Sequence, residues 1–500
     1  MSKGSPGWGR TLFYWLLFPP YIDEVSRLLS RFTLSQALVP LVTAAVLLLG
    51  SVVVYPVKYY WPLGIGAMVA AVMAARAGFR WGEIGRAALR GMRSTLIALS
   101  ILLLVGGLIG VWVSAGTVPA MVYYGLSLAN PRFLVPAAFL LALVTSMMLG
   151  TSIGTLSTLG TAMMGVAHGI GAPLPLVAGA LVSGALFGDR SSPLSGSLNL
   201  NAAMTGNELR TVMKALLPTG LVGAGLSLAG YVLLGARLSA GSGAADSPMR
   251  AALAAEMHIS PWLLLPPALV LAMAFLRVPV RWALAAGIAA GAAMGVVVEH
   301  QTLWVPIHAA VFGHAVQVAE PGLAKVLSGG GILPMVHQFL LILTAGAFSG
   351  IMESSGMMAT VVERVIAGAK RPLAMVGATM AISTAVALVA SNQALAIIVP
   401  GRMLRPAYDR ERLPATLLSR SLADSGTVLS GIIPWNLMGM LASAAVGVPV
   451  TTLAPYACFA WILPLLSFGW TLAGESHLRQ PKDALAGVPE SDGLPQSTAS

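Results

Sequence analysis

Of the eighteen acidic residues in this 500-residue chain, only Asp189, Glu353 and Asp424 fall well inside long apolar stretches. An ionised group in hydrocarbon is costly, so a carboxylate kept there is expected to act on an ion, a proton or a substrate. The structural alternative is a carboxylate retained to pair with an arginine: Arg190 adjoins Asp189, and Arg420 precedes Asp424 by one helical turn. A carboxylate withdrawn from water can hold a proton or, when ionised, a hard cation. Competition of H⁺ and Na⁺ for one such group is the simplest exchange chemistry. Hard cations complete their shell with oxygen. Suitable oxygens crowd the first aspartate, from Ser191, Ser192, Ser195, Ser197, Asn199 and Asn201, and the second, from Ser425, Thr427, Ser430 and Asn436. Pro193, Gly196, Gly426, Gly431 and Pro434 are expected to break helix at both places, freeing carbonyls and half-helix ends for coordination. A further polar cluster, Gly150 to Thr155, has a counterpart in Ser391-Asn392-Gln393. Hydroxyls in membrane helices often bond only their own backbone. Recurrence in both halves favours a cation pathway through Thr151, Ser152 and Asn392. Asp424 ranks first as the coupling residue. Asp189 ranks second because Arg190 beside it would partly neutralise it, and Glu353 ranks third.

The elements that must position these residues are transmembrane helices. The chain is 57% hydrophobic and 9% charged, with a mean hydropathy of +0.82, and this places it in a bilayer. Runs long enough to cross the hydrocarbon recur from residue 37 to 473, predicting about ten to fourteen spans. They are far longer than the alternating segments of a barrel, so the expected class is an all-α polytopic membrane protein. Residues 1–35 carry Lys3, Arg10, Arg27 and Arg31 around an apolar patch interrupted by Pro19 and Pro20. An interfacial, cytoplasmic segment is expected there rather than a signal peptide. The tail 475–500 is polar and expected to be disordered. A formal charge of +11 reflects arginines in short connections, which is a topology signal and not a nucleic-acid footprint.

Several chemistries are disfavoured. Cys458 is the single cysteine, which leaves no intrachain disulfide or thiolate cluster. There is no Walker loop, HExxH or tandem CxxC, the histidines lack metal-ligand spacing, and no cofactor is implied. Gly150 to Gly154 fits GxSxG, but a nucleophile elbow needs a strand before it. Two intramembrane aspartates also suggest an aspartyl protease, a remote alternative because each is surrounded by cation-ligand residue types.

Internal similarity organises the chain. Asp189 to Asn201 (DRSSPLSGSLNLN) lies on Asp424 to Asn436 (DSGTVLSGIIPWN) at a spacing of 235, and upstream a spacing of 240 sets Gly110 on Gly350, Ser114 on Ser354, Gly116 on Gly356 and Ser152 on Asn392. Arginines distinguish the halves. Arg76, Arg80, Arg86, Arg90 and Arg93 precede the first core, whereas the second half places Arg364, Lys370, Arg371, Arg402, Arg405, Arg410 and Arg412 in its inner connections. Corresponding loops therefore face opposite sides, as inverted-topology repeats with discontinuous helices require. The expected divisions are an N-terminal segment 1–35, a first repeat 36–235, a linker 236–260, a second repeat 261–474 and the tail 475–500. Gly287, Gly291 and Gly295 form a helix-packing face.

Six stretches resemble the NhaC-type Na⁺/H⁺ antiporters of bacteria and archaea: GVWVSAGTVPAMVYY (110–124), GTSIGT (150–155), FGDRSSPLSGSLNL (187–200), GIMESSGM (350–357), PGRMLRPAY (400–408) and SRSLADSGTVLSGIIPWN (419–436). The resemblance covers roughly 36–474. It implies a secondary antiporter of a prokaryotic cytoplasmic membrane, with Asp189, Glu353 and Asp424 as transport residues and no enzymatic activity. Na⁺, H⁺ and the lipid bilayer are the implied partners; a homo-oligomer is compatible with the sequence. One position departs from the family pattern, roughly FGDxxSPLSDTTN: Gly196 stands where a second aspartate is expected, and Leu198 where a threonine is. The wider family also looks to include exchangers of malate and lactate. An organic acid or amino acid, received by Arg190, Arg420 or a half-helix N-terminus, is the alternative substrate.

Overall fold

The computed structural model describes residues 32–53, 60–128, 131–238, 253–255, 257–276, 278–316, 327–366 and 371–474. The expected N-terminal segment up to residue 31, the Ser239 to Ser247 linker and the tail from residue 475 lie outside the described residues. Among the described residues, regular structure is helical apart from one isolated bridge between His314 and Gly329. The first series comprises α1 (Leu34–Val53), α2 (Tyr60–Arg76), α3 (Trp81–Ser94), α4 (Leu96–Ser114), α5 (Thr117–Leu128), α6 (Pro131–Leu149), α7 (Ser152–Thr155), α8 (Thr161–Gly169), α9 (Leu174–Ser191), α10 (Gly196–Thr205) and α11 (Leu209–Leu238). It continues with α12 (Leu265–Phe275), α13 (Val280–Val297), α14 (Trp304–Phe312), α15 (Val336–Ser354), α16 (Met357–Ile366), α17 (Pro372–Val389), α18 (Gln393–Arg410), α19 (Ala415–Leu422), α20 (Leu437–Val446), α21 (Val450–Leu453) and α22 (Cys458–Gly474).

Among the described residues, four helices are long and apolar enough to cross a bilayer alone, and up to seven crossings result if each of three bent pairs counts as one. Side chains such as Val46, Met68, Leu221, Leu233, Leu465 and Leu472 point outward uncovered. In a multi-pass membrane protein that outer face meets lipid, so its exposure carries no penalty.

Helix boundaries recur along the chain at a nearly constant spacing. α4 and α15 begin at Leu96 and Val336, 240 apart, and α5 and α16 at Thr117 and Met357, again 240 apart. From α6 onward the spacing is 241: Pro131 with Pro372, Ser152 with Gln393, Leu174 with Ala415, Gly196 with Leu437, and Leu209 with Val450. Left-handed backbone positions keep the same register, Gly150 (φ 70°) with Ser391 (φ 53°), Gly171 (φ 68°) with Arg412 (φ 56°), and Gly206 (φ 67°) with Gly447 (φ 68°). The spacing of 235 read from the recurring Leu-Ser-Gly triplet is therefore not the structural one. Leu194-Ser195-Gly196 occupies a helix break, whereas Ser430 and Gly431 still belong to the helical turns before the corresponding break. At the structural spacing Asp189 corresponds to Ser430, and Asp424 to Ser183.

Breaks in helix α9 to α10 and α19 to α20 deliver the polar residues. Pro193 lacks a backbone N–H and cannot continue α9, and α10 restarts at Ser195, whose hydroxyl accepts from the Ser197 N–H as an N-cap. The α19 to α20 path contains a π-helical turn, Ala423–Thr427, then a 3₁₀ turn, Ser430–Ile432, and bends by 50° before Asn436 caps α20. A second π turn, Leu156–Gly160, joins α7 to α8. The two π turns do not fall at the 241-residue spacing. Such turns often occur at functional sites.

Candidate functional site

Asp189 sits in the last turn of α9, 6% exposed. Ser195 Oγ donates to its Oδ1 at 2.9 Å, and Gln393 Nε2 donates to Oδ2 at 3.3 Å. Ser197 Oγ donates to the Asp189 backbone carbonyl at 2.9 Å. Gln393 also donates to the Thr427 carbonyl at 3.0 Å, so one amide ties α18 to both α9 and the π turn. Among the described residues, the groups that hydrogen-bond to this carboxylate are neutral. The α9 to α10 break, the start of α18 and the π turn thus meet around one carboxylate, with hydroxyl and carbonyl oxygens nearby, the ligand type that a hard monovalent cation prefers.

Asp424 is differently placed. It lies in the π turn, fully buried, and the guanidinium of Arg190 closes on it. Arg190 Nε donates to Asp424 Oδ1 at 2.6 Å, with Nη2 forming an ion pair to the same oxygen, while Thr219 Oγ1 donates to Oδ2 at 3.0 Å. The rest of the guanidinium is also bonded, Nη2 to the Leu216 carbonyl at 3.0 Å and to Thr219 Oγ1 at 2.8 Å, and Nη1 to Ser191 Oγ at 3.3 Å. Gly220 makes room for it, because a Cβ there would lie 2.6 Å from Nη1. Arg190 therefore neutralises the distant Asp424, not its sequence neighbour Asp189. The arginine expected to pair with Asp424, Arg420, donates instead to Thr471 Oγ1 at 2.9 Å, and its Nε is buried without a hydrogen-bond partner among the described residues.

Most of the remaining candidates bond to backbone at the breaks. Thr151, Asn392 and Asn436 are N-caps, accepting from the N–H groups of Gly154, Ala394 and Met438 at 3.3, 2.9 and 3.0 Å. Asn436 also donates to the Ala387 carbonyl, Asn201 to that of Ser419, and Asn199 to those of Pro193 and Ser195, which fastens the α9 to α10 break. Thr427 Oγ1 and Ser430 Oγ donate to the carbonyls of Leu422 and Gly426 within their own turns. Ser152 Oγ donates to Met438 Sδ at 3.4 Å. Glu353 is exposed at the C-terminal end of α15 near Arg90 and Arg402. Its helix ends one residue later at Ser354. From sequence, Gln393 stands out only as part of the Ser391-Asn392-Gln393 cluster, and it lies 241 residues after Ser152; Thr219, inside α11 beside Pro218, carries no signal in the sequence.

The geometry also separates the two carboxylates chemically. An aspartyl protease needs two carboxyls sharing one proton, whereas here each aspartate has its own, different set of partners. No cluster of three His, Cys, Asp or Glu side chains suits a metal ion among the described residues.

Comparison with known proteins supplies the class. Residues 19–236 and 184–474 match the Na⁺/H⁺ antiporter family. The chain belongs to this family. It is 31% identical over 414 residues to the Na⁺/H⁺ antiporter NhaC of Bacillus subtilis (strain 168), covering 82% of this chain and 91% of that protein. It is 28% identical over 470 residues to the arginine/ornithine antiporter ArcD of Halobacterium salinarum, covering 91% and 95% of the two chains. A malate-2H⁺/Na⁺-lactate antiporter of Bacillus subtilis is 27% identical over 437 residues, covering 86% and 92%. The family consists of transporters rather than enzymes, in keeping with a helical, apolar, multi-pass chain.

Proposed function

We propose that this protein exchanges Na⁺, or a similar monovalent cation, for H⁺ across the cytoplasmic membrane by alternating access, with Asp189 as the carboxylate that holds either ion. The observation that carries the assignment is the contrast between the two buried aspartates: neutral donors surround Asp189, whereas Arg190 already neutralises Asp424. A cation arriving at Asp189 meets an uncompensated charge. One arriving at Asp424 would have to displace an arginine held by hydrogen bonds to Asp424, Ser191, Leu216 and Thr219 and by the ion pair. The order read from sequence, Asp424 before Asp189, is therefore reversed. Ser195, Ser197, Ser152, Gln393 and the Thr427 carbonyl supply the neutral oxygens and the orienting amide, while Asn199, Asn201, Asn392, Asn436, Thr151 and Ser430 hold the broken helices in place.

The constant spacing of helix boundaries supports two repeats, and the arginine distribution supports their inverted orientation with the N-terminus cytoplasmic. The divisions proposed remain 36–235 and 261–474, joined by 236–260. The test is reconstitution in proteoliposomes with a pH-sensitive dye. Asp189→Asn is expected to abolish Na⁺-driven proton movement while the protein remains monodisperse; undiminished exchange in that variant would sink the assignment.

A second reading, exchange of a small organic acid or amino acid, is favoured by a cavity of about 440 Å³ lined by Tyr60, His337, Gln338, Ser443 and Thr451, within the size range of small-molecule pockets. It predicts proton flux only when malate, lactate, arginine or ornithine is supplied, and a panel of these against Na⁺, K⁺ and Li⁺ separates the two readings.

A further inference from the structure

Asp189 and Arg190 are neighbours in sequence at the end of α9, yet their side chains serve different partners. The Asp189 carboxylate meets Ser195 and Gln393, whereas the Arg190 guanidinium, fully buried, meets Asp424 and the α11 groups Leu216 and Thr219. The five-residue π turn Ala423–Thr427 is common to both. It carries Asp424, which binds the arginine, and three residues later the Thr427 carbonyl, which binds Gln393 and so orients the amide that touches Asp189. A permanently charged guanidinium one residue from a cation-binding carboxylate is a built-in competitor for it, since Arg matches a carboxylate in two-pronged geometry and does not deprotonate.

We infer that Asp424 is a positioning residue whose role is to sequester Arg190, so that Asp189 is left free for the transported cation. This rests on Asp189 being the exchange carboxylate. Without its counter-charge, Arg190 loses its strongest partner, and a guanidinium released from Asp424 that swings back toward its sequence neighbour Asp189 becomes an internal substitute for Na⁺. The consequence falls on cation affinity rather than on the rate of the transport cycle at saturation. It is also conditional on the arginine, because an uncharged residue at position 190 has no such effect.

The experiment measures ²²Na⁺ uptake against a fixed pH gradient in proteoliposomes containing the full chain, with KM and maximal rate determined separately. In Asp424→Asn, the KM for Na⁺ is expected to rise at least about tenfold while the maximal rate stays within about threefold of wild type, the pattern of lost binding rather than lost turnover. In the double variant Arg190→Gln with Asp424→Asn, the KM is expected to return to within about threefold of wild type, because the two amides can bond each other and no competitor remains. Asp424→Glu, which keeps the charge, should also lie near wild type. A single variant that loses only maximal rate, or a folded double variant whose KM is as impaired as that of the single, would overturn the inference. If the single variant does not fold, the double variant and Asp424→Glu still decide: near-normal affinity in both supports sequestration, and loss of exchange in the folded double variant makes Asp424 itself the ion carrier. Asp189→Asn in the same assay tells the two failures apart, since activity there removes the underlying reading, whereas inactivity there with no rescue in the double variant removes the sequestration alone.

Discussion

At the scale of single residues, the arrangement depends on space as much as on charge. Gly220 faces the Arg190 guanidinium so closely that an alanine methyl would lie 2.6 Å from Nη1. A flexible arginine would move aside, but this one is fixed by Asp424, Thr219, Leu216 and Ser191. Gly220→Ala is therefore expected to destabilise the protein by about 1–3 kcal/mol, the usual range for overpacking a fitted interior, read as a lowered Tm in detergent. Gly196 is the opposite case: a methyl group added there would have nothing within 4 Å, and the residue lies in the first turn of α10, where an added carboxylate is favourable. Gly196→Asp adds a second anion near Ser195 and Ser197, and the KM for Na⁺ is expected to fall on the order of tenfold, about 1.4 kcal/mol. An unchanged KM in a folded Gly196→Asp protein would show that this position does not reach the ion. The sequence made Asp189 and Asp424 visible as costly charges in apolar surroundings. It could not tell which of them Arg190 would meet, because adjacency along a helix turns consecutive side chains about 100° apart, and only tertiary packing decided that the arginine faces α11 and the π turn.

At the scale of elements, the breaks rather than the spans set the chemistry. Gly150 and Ser391 occupy equivalent left-handed positions before α7 and α18, at φ 70° and 53°. Their surroundings differ. At Gly150 a methyl group would lie 2.6 Å from the backbone carbonyl carbon of Leu194, which belongs to the Asp189 break, so Gly150→Ala combines backbone strain with a clash that distorts the site. Exchange should be lost or severely reduced in that variant. At Ser391 the side chain is buried with its hydroxyl unpartnered among the described residues, so Ser391→Gly removes the left-handed strain of an L residue, about 1 kcal/mol, and with it an unsatisfied group. A higher Tm for Ser391→Gly and a lower one for Gly150→Ala are expected from thermal unfolding, and the reverse order would contradict this account of the breaks. The breaks were legible from Pro193, Pro434 and the glycines, but their register was not, because the Leu-Ser-Gly triplet recurs at a misleading spacing. The better guide was the prolines: Pro131 and Pro372, Pro173 and Pro414, and Pro193 and Pro434 are each 241 apart, since prolines mark helix starts and breaks directly.

At the scale of the whole molecule, the equivalence of the two halves makes a claim about sidedness. The α10 to α11 and α20 to α21 connections occupy the same place in each half, with Glu208 and Pro449 exposed at positions 241 apart. The first connection leads into Arg210 and Lys214, whereas the second leads into Val450 to Ala457 without a basic residue. If basic residues mark the cytoplasmic side, these equivalent connections lie on opposite faces, which is what inversion of the second repeat means. Labelling with a membrane-impermeant maleimide tests this directly. Cys458 is half-buried and its backbone N–H bonds Tyr231, so its replacement by serine leaves that bond intact and provides a cysteine-free background. Glu208→Cys in that background is expected to label only in inside-out vesicles, and Pro449→Cys only in right-side-out vesicles. Labelling of both from one side would make the repeats parallel, and a site at which helix breaks from both halves meet Asp189 would then need a different route of access from each face.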